Sequence, residues 1–256
     1  MPGRAEVHFH ALPGVDDGPA TLEETIALTK LALEDGTLTI VATPHVCDID
    51  VAELDERVRE VRAEFARERL RVELIGGGET AADDVARLSQ EELETVAQGP
   101  EGARWVLLES PHNGAAEAFT SAADELRARG FGVVIAHPER SAAIEHGRSG
   151  VIERELALGS WLQVNGMSVL GRYGDTVREA ALQLLANEEH VVLASDAHSP
   201  TRPPCLSDAI RRARSEGVPA ERLRIAGDIG PLALLRRGFQ STVTPSLGAR
   251  RLDRVR

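Results

Sequence analysis

Short apolar segments rich in β-branched residues recur along the chain, and each precedes a longer segment whose apolar positions repeat with the helical period. Seven strands are predicted, at Ala5–His10, Leu38–Thr43, Arg71–Gly76, Trp105–Glu109, Gly132–Ala136, Trp161–Val164 and Val191–Ser195. Seven amphipathic helices are predicted after them, at Leu22–Glu34, Val51–Arg69, Ala81–Ala97, Ala115–Arg129, Ser149–Leu158, Thr176–Asn187 and Leu206–Glu216. This alternation favours parallel strands joined by right-handed crossovers.

The number of strand–helix units fits a closed or nearly closed β/α barrel better than an open doubly wound sheet. The chain has 256 residues, and a barrel of this class usually needs about 250. No linker, internal repeat or low-complexity block interrupts the pattern. We therefore predict an α/β fold with a single domain over residues 1–240. Residues 241–256 form an arginine-rich tail, either loose or able to dock on an acidic partner.

Composition excludes several classes of protein. Hydrophobic residues make up 42% and charged residues 27% of the chain, which is typical of a folded globular domain rather than a disordered one. The formal net charge of −12 argues against general binding to nucleic acid, which needs a basic surface. No apolar run predicts a membrane span or a signal peptide, and the chain has only two cysteines. A cytoplasmic protein without membrane insertion is expected.

Histidines and acidic residues follow the predicted strands. Six of the eight histidines lie at a strand end or in the loop after it: His8, His10, His45, His112, His137 and His198. Asp17, Glu79 and Asp196 occupy equivalent positions after three of the strands. Because the carboxyl ends of barrel strands build one shared site, these nine potential ligands are expected to converge on one face.

The spacing and type of these residues indicate metal ions. His8 and His10 are two residues apart, as are Asp196 and His198, so each pair projects to the same side of an extended strand. Mixed imidazole and carboxylate ligands suit Zn, Mn or Fe. Nine ligands exceed the roughly four that one tetrahedral ion takes, so two or three ions sharing bridging carboxylates are predicted.

Each of these residues also has a simpler interpretation. A single His-x-His pair is more often structural than metal-binding, and His45 could be an ordinary loop residue. Glu79 could favour the positive end of a helix dipole. Their common placement at the ends of successive strands favours the metal site.

Two arginines and one cysteine complete the set of candidates. Arg140 and Arg202 each follow a predicted ligand by three or four residues, so either could overhang the metals and bind phosphate, or could instead form a surface ion pair. Cys205 and Arg211 have the Cys-x5-Arg spacing of cysteine-based phosphatases. The residues between them contain no glycine and predict a helix, so we interpret this match as chance.

Several motifs, taken together, resemble a known superfamily. They are His8-Phe-His10, Val41-Ala-Thr-Pro-His45, Val134-Ile-Ala-His-Pro-Glu-Arg140 and Ala194-Ser-Asp-Ala-His198. They are similar to motifs of the polymerase and histidinol phosphatase (PHP) superfamily. A second set consists of Leu12-Pro-Gly-Val-Asp-Asp-Gly-Pro19, Gln163-Val-Asn165, Leu170-Gly-Arg-Tyr-Gly174 and Arg202-Pro-Pro204. It resembles the bacterial metal-dependent protein-tyrosine phosphatases of capsule and exopolysaccharide operons.

The resemblance implies a distorted, TIM-like (β/α)7 barrel with a centre of three divalent ions, often manganese, with iron or zinc as alternatives. By position, one ion would be held by His8, His10, Glu79 and Asp196. The second would be held by Glu79, His112 and His137, and the third by Asp17, His45 and His198. Arg140 and Arg202 would clamp the phosphate. Glu6 departs from the family pattern, which has Asp there, and we expect it to act without binding metal.

The resulting hypothesis is hydrolysis of a phosphomonoester, with a hydroxide that bridges two ions attacking phosphorus in line. Phosphotyrosine on a protein is the leading substrate, and the family implies the tail of a bacterial tyrosine kinase. Asp17 or a metal-bound water would protonate the leaving group. One alternative is a phosphatase of a small metabolite such as histidinol phosphate or a nucleotide. Another is a metal-binding regulatory module without activity.

Overall fold

A computed structural model describes residues 3–111, 116–147 and 149–239. The strands are β1 (Arg4–Phe9), β2 (Thr37–Ala42), β3 (Glu73–Gly76), β4 (Glu79–Thr80), β5 (Trp105–Glu109), β6 (Gly132–Ala136), β7 (Trp161–Asn165) and β8 (Val191–Ala194). The helices are α1 (Leu22–Glu34), α2 (Leu54–Arg67), α3 (Ala82–Val85), α4 (Gln90–Val96), α5 (Ala116–Ala128), α6 (Gly150–Ala157), α7 (Gly166–Val169), α8 (Asp175–Asn187), α9 (Leu206–Ser215), α10 (Ala220–Arg224) and α11 (Gly230–Arg237). None of the helices in these ranges combines the length and apolar character needed to cross a bilayer.

The strands form two parallel sheets. One sheet has the order β1-β2-β3 and the other the order β4-β5-β6-β7-β8, and every pairing is parallel. Isolated bridges join the two sheets, between Phe9 of β1 and Ala197 after β8, and between His45 after β2 and Glu79 of β4. The chain is therefore an α/β protein whose strand order follows the sequence, as the alternating pattern predicts.

Both faces of the sheets are buried, which is the usual condition of parallel strands covered by helices. Along β5, Val106 and Leu108 contribute to the larger hydrophobic cluster, while Trp105 and Leu107 contribute to a smaller one on the opposite face. The smaller cluster also contains Leu234 of α11, whose carbonyl accepts a hydrogen bond of 3.3 Å from the Trp105 indole. The final helix therefore covers the amino-terminal end of β5.

The predicted helix over residues 81–97 is wrong in one respect. The structure divides it into α3 and α4, because Ser89 caps α4 and the Glu92 carboxylate accepts a hydrogen bond from the Ser89 amide. The sequence pattern also missed β4, which has only two residues. Gly78 before it packs so tightly that a Cβ atom there would lie 2.6 Å from Val46. The glycine run therefore lets the chain pass under that side chain before β4 starts.

Candidate metal centre

Eight of the nine predicted ligands lie in the described residues, and they meet at the carboxyl ends of the strands. We call this set the ligand cluster: His8, His10, Asp17, His45, Glu79, His137, Asp196 and His198. The ninth, His112, lies outside the described residues.

The first group within the ligand cluster consists of His8, His10, Glu79 and Asp196. These residues are at most 2% exposed, and their ligand atoms all lie within 4.8 Å of one another. The His8 Nε2 atom is 3.0 Å from Glu79 Oε2 and 3.1 Å from Asp196 Oδ1. The His10 Nε2 atom is 3.3 Å and 3.4 Å from the same two oxygens. Two imidazole nitrogens and two carboxylate oxygens thus surround a single point.

Hydrogen bonds behind the two rings determine which nitrogen faces this point. The His8 Nδ1 atom is 2.9 Å from Gln163 Oε1, which also accepts a hydrogen bond from the His137 amide. The His10 Nδ1 atom is 2.7 Å from Asp16 Oδ2. Because both partners are acceptors, each Nδ1 donates, and in a neutral ring the lone pair of Nε2 points into the group. Such outer hydrogen bonds are typical of histidines that bind metal.

The two oxygens of Asp196 have different environments. Oδ2 accepts hydrogen bonds from Asn165 (2.8 Å), Arg140 (3.0 Å) and Arg202 (3.1 Å). Oδ1 is buried, receives none of these three donors, and faces the Nε2 atoms of His8 and His10. A buried carboxylate oxygen in this position is stabilised by a cation, either a proton on a ring or a metal ion. The donor set therefore fits a divalent ion.

Strained backbone directs two of these side chains into the site. His137 follows β6 with φ 35°, and Asp196 follows β8 with φ 52°. Left-handed backbone is unfavourable for residues other than glycine, and it occurs most often at functional sites. The Asp196 amide donates to the His8 carbonyl at 3.1 Å, and the His137 amide donates to the Gln163 carbonyl at 2.8 Å. These bonds hold both residues in the strained conformation.

A second group consists of His10, Asp17, His45 and His198, whose ligand atoms also lie within 4.8 Å of one another. The Asp17 Oδ1 atom is 3.1 Å from His198 Nε2 and 3.5 Å from His45 Nε2. The Asp17 side chain is 59% exposed, whereas those of His10 and His198 are buried. This group therefore lies on the solvent side of the first.

A third group contains His45, Glu79 and Glu109. Glu109 is the last residue of β5 and was not among the predicted ligands, although its position at a strand end matches theirs. The Glu79 Oε1 atom is 2.9 Å from His137 Nε2, while its Oε2 atom faces His8 and His10. Glu79 thus contacts different histidines with its two oxygens, His137 through Oε1 and His8, His10 and His45 through Oε2, which is compatible with a bridging carboxylate.

Mutual attraction outweighs burial in the first group. Burial raises the pKa of Glu79 and of Asp196, but the surrounding histidines lower both pKa values well below the usual carboxyl range. Burial lowers the pKa of His8 and of His10, but the carboxylates raise both, and that of His10 rises well above its ordinary value. The group therefore holds negative charge firmly and attracts positive charge, whether protons or metal ions.

The remaining titratable groups differ from this pattern. Burial lowers the pKa of His137 and that of His198 to about 4, so both rings are neutral near pH 7. Burial and the charge of Glu79 raise the pKa of Glu109 to about 7. Burial opposes ionisation of Asp16, but its hydrogen bond with His10 outweighs burial and lowers the pKa to about 2. Asp16 is thus a permanent acceptor for the His10 ring.

The two predicted arginines both reach the site. Arg140, in the 3-10 helix Pro138–Arg140, and Arg202, in the loop after β8, bind the same Asp196 oxygen from different sides. Arg202 also reaches Asp17 Oδ2 at 3.1 Å. Their side chains are 18% and 27% exposed. Neither forms the helix-surface ion pair that was the simpler interpretation.

The cysteine match is excluded by the structure. Residues 206–210 are helical, and Arg211 pairs with Asp208 on the same helix instead of facing Cys205. Burial raises the pKa of the Cys205 thiol far above its ordinary value, so no thiolate forms near neutral pH. Cys205 is therefore a buried structural thiol.

The two histidines outside the predicted ligands, and Glu6, have packing roles. His146 Nδ1 lies 2.8 Å from the Glu139 carbonyl, and His190 stacks on Trp161 with ring centroids 5.2 Å apart. Glu6 is fully buried, and its Oε2 atom accepts a hydrogen bond of 2.8 Å from the Ser195 amide. Glu6 thus anchors the end of β8 directly before Asp196.

Comparison with known proteins identifies a family that this chain matches. The family described as capsular polysaccharide synthesis, CpsB/CapC, matches residues 4–218. The tyrosine-protein phosphatase CpsB of Streptococcus pneumoniae is 30% identical over 221 residues, which cover 80% of this chain and 87% of that protein. The tyrosine-protein phosphatase YwqE of Bacillus subtilis is 27% identical over 199 residues, covering 76% of this chain and 77% of that one.

Solved structures agree on the fold. One of them comes from a study of YwqE from Bacillus subtilis and CpsB from Streptococcus pneumoniae, which that study describes as unique metal-dependent tyrosine phosphatases. It superimposes on this chain with a TM-score of 0.78 at 23% identity, and the match covers 94% of this chain and 97% of that chain. The phosphotriesterase homology protein of Escherichia coli, solved with phosphate in its active site, gives a TM-score of 0.62 at 14% identity, covering 93% and 99%. The chain thus has the same α/β architecture as these proteins.

Proposed function

The chain belongs to the CpsB/CapC family of capsular polysaccharide synthesis, and from this membership and the geometry of the ligand cluster we propose that it is a metal-dependent protein-tyrosine phosphatase. The relatives that it matches along most of their length are named tyrosine-protein phosphatases. The observation that carries the proposal is the convergence of histidine nitrogens and carboxylate oxygens beside two arginines. Metal ligands next to phosphate-binding side chains are what hydrolysis of a phosphomonoester requires.

We further propose that the two sheets belong to one distorted (β/α)7 barrel, and that residues 1–240 form one phosphatase domain. The bridges between Phe9 and Ala197 and between His45 and Glu79 support this, since the first connects β1 to the segment after β8 and the second connects the segment after β2 to β4. The position of the ligand cluster at the carboxyl ends of the strands also supports it, because barrel enzymes carry their sites there.

Three ions are proposed, with manganese preferred. The first would be held by His8, His10, Glu79 and Asp196, and the third by Asp17, His45 and His198. For the second, Glu79 and His137 are supported by their contact of 2.9 Å, and Glu109 is added because it shares a group with Glu79. The family resemblance assigns His112 to the second ion as well. Nitrogen and oxygen ligands in this ratio suit Mn, Fe or Zn.

The chain's own residues would bind and orient the phosphate. Bound divalent ions lower the pKa of coordinated water and thereby supply a nucleophile near neutral pH. Arg140 and Arg202 share one oxygen of Asp196, and a phosphate could draw their free N–H groups toward itself. The arginines would then balance the negative charge that spreads over the phosphate oxygens during the reaction.

Asp17 is proposed to act at the leaving group. It is the most exposed member of the ligand cluster, and it contacts Arg202 through the oxygen that does not face His198. A tyrosine phenol has a pKa of about 10 and needs little assistance to leave. A single carboxyl group at the solvent side of the site, which can pass a proton from solvent to the leaving group, would therefore be enough for this step.

The proposed substrate is phosphotyrosine on a protein, in the regulation of capsular or exopolysaccharide synthesis, with a tyrosine kinase tail as the expected partner. Purified protein should contain manganese, iron or zinc by elemental analysis. With Mn²⁺ it should hydrolyse a phosphotyrosine peptide faster than histidinol phosphate or a nucleotide monophosphate. A preference for either small substrate would instead indicate a metabolite phosphatase. No hydrolysis of p-nitrophenyl phosphate with any of the three metals would indicate a regulatory module.

A further inference from the structure

Tyr173 is the only tyrosine of the chain, and it lies between α7 and α8. Its half-buried ring faces the Arg140 guanidinium, whose Cζ atom is 4.6 Å from the ring centroid. A guanidinium at this distance over an aromatic face is attracted by the electron density of the ring. Tyr173 is thus in direct contact with a residue that reaches the ligand cluster from outside.

Arg140 is held by two contacts of different kinds, an ion pair and a contact with an aromatic ring. Its Nη1 atom binds Asp196 Oδ2 at 3.0 Å, while its Cζ atom lies over the face of the Tyr173 ring. Among the described residues, Asp196 is the only carboxylate within ion-pair distance of Arg140. A stacked guanidinium keeps its N–H groups in the plane of its edge, and these remain available to a bidentate anion.

Once substrate binds, the ion pair with Asp196 holds Arg140 less firmly than the contact with Tyr173 does. Asp196 Oδ2 is shared by Asn165, Arg140 and Arg202, so three donors compete for one oxygen. A phosphate between the arginines would compete with Asp196 for Arg140, but it would not compete with the face contact to Tyr173. The ring therefore can support the guanidinium both before and after phosphate binds.

Among the described residues, no other aromatic side chain lies over Arg140. Removal of the Tyr173 ring would therefore leave Arg140 without a cation–π contact.

From this geometry we propose that Tyr173 is a positioning residue, which holds Arg140 in the orientation that binds the phosphate of the substrate. The proposal rests on the proposed phosphatase function, since it assigns Arg140 to phosphate. It predicts that the aromatic ring matters and that the hydroxyl group does not. It also predicts that Tyr173 acts through Arg140.

The contact can be tested without activity, because a single tyrosine gives a single set of signals. In metal-free protein with ¹³C-labelled tyrosine, Arg140→Gln should shift the ring resonances, since it removes the stacked cation. Arg172→Gln, at the exposed neighbouring arginine, should leave them nearly in place. Equal shifts in both variants, or none in Arg140→Gln, would overturn the contact.

Kinetics with a phosphotyrosine peptide and Mn²⁺ test the role. Tyr173→Phe should keep kcat/KM within about twofold, and Tyr173→Leu should raise KM about five- to tenfold, the usual range for losing a partly desolvated cation–π contact. Inhibition by inorganic phosphate should weaken by the same factor, and kcat should change less. If kcat/KM fell as far in Tyr173→Phe as in Tyr173→Leu, the hydroxyl group rather than the ring would be responsible for the effect, contrary to the proposal.

A double-mutant cycle separates the direct from the indirect effect. In an Arg140→Gln background, Tyr173→Leu should weaken phosphate inhibition by less than about twofold, because the cation that the ring attracts is already absent. A full effect in that background would mean that Tyr173 does not act through Arg140. An unmodified protein that hydrolyses no phosphomonoester would contradict the proposed function instead, and the ring resonances would still report on the contact.

Discussion

Two clusters of charge in this protein, each built around a buried carboxylate, use similar groups with different results. The first, which we call the helix ion-pair cluster, joins α5 and α6 through Asp124, Arg127, Arg154 and Glu155. The Glu155 carboxylate is fully buried, and each of its oxygens accepts hydrogen bonds. Arg127 donates to both oxygens, at 2.7 Å and 3.1 Å, and Arg154 donates to one at 2.6 Å. Two arginines balance two carboxylates.

Asp196 in the ligand cluster is buried to the same degree and also binds two arginines, but both of them use Oδ2. Its Oδ1 atom faces the Nε2 atoms of His8 and His10 instead. Glu79 adds a second carboxylate to the same point. Breaking a charge pair that the protein neutralises internally destabilises the fold. Carboxylate oxygens that face ring nitrogens attract a cation, either a proton on a ring or a metal ion.

The largest expected effect comes from removing a ligand. His10→Ala or Asp196→Ala should lower phosphatase kcat/KM by more than about a thousandfold, because the metal loses a direct ligand. Elemental analysis should show less bound metal. His190→Ala, which removes a histidine outside the cluster, should keep both metal and activity. Full activity in His10→Ala would remove the basis for the metal mechanism.

The helix ion-pair cluster should respond in the opposite way. Glu155→Ala should lower the free energy of unfolding by about 2–4 kcal/mol, because it removes the buried carboxylate that binds both arginines and leaves the partly buried Arg127 with only the exposed Asp124 as an ion-pair partner. Urea denaturation measures this change. The kcat of the folded variant should equal that of the unmodified protein, and a large loss of kcat would show that the two clusters are coupled.

Metal removal should destabilise the ligand cluster and leave the helix cluster unaffected. At a free metal concentration one hundred times the dissociation constant, binding adds about 2.7 kcal/mol to the free energy of unfolding. Thermal unfolding with and without Mn²⁺ should therefore show a higher Tm for the metal-bound protein. This shift should persist in Glu155→Ala and disappear in Asp196→Ala. If neither the unmodified protein nor Glu155→Ala showed the shift in Tm, the result would contradict a metal site.

Acid should weaken metal binding. In the metal-free protein the carboxylates raise the pKa of His8, and they raise that of His10 well above its ordinary value, so protons compete with metal ions for these rings. A metal ion must displace those protons, and its affinity should fall about tenfold per pH unit for each proton displaced. Calorimetric titration at pH 7 and pH 6 measures this. An affinity that is equal at both values would show that the rings bind as neutral groups without proton release.

The smallest effect is expected at the buried thiol. Cys205→Ser should keep kcat within about twofold, because the thiol is neutral and lies on α9 outside the ligand cluster. Activity of the purified variant is the measurement. Loss of activity without loss of folding would favour a cysteine-based mechanism.

Much of this architecture follows from local patterns. The period of apolar residues predicts α1 at its observed limits, Leu22–Glu34, and most strands to within one or two residues. It missed β4, since two residues cannot show a period. The two-residue spacing of His8 and His10 places both rings on one side of β1, and the crossover rule brings the strand ends together.

Other features depend on long-range contacts. The sequence alone did not determine that Gln163 and Asp16 would orient the two histidine rings, that Glu109 would join the third group, or that Tyr173 would stack on Arg140. Within their own segments these four side chains look like ordinary polar or aromatic residues. Local periodicity reports which face of an element is buried. Only the tertiary structure decides which residues distant in the chain meet there, because their contacts depend on strand register and on the paths of the loops.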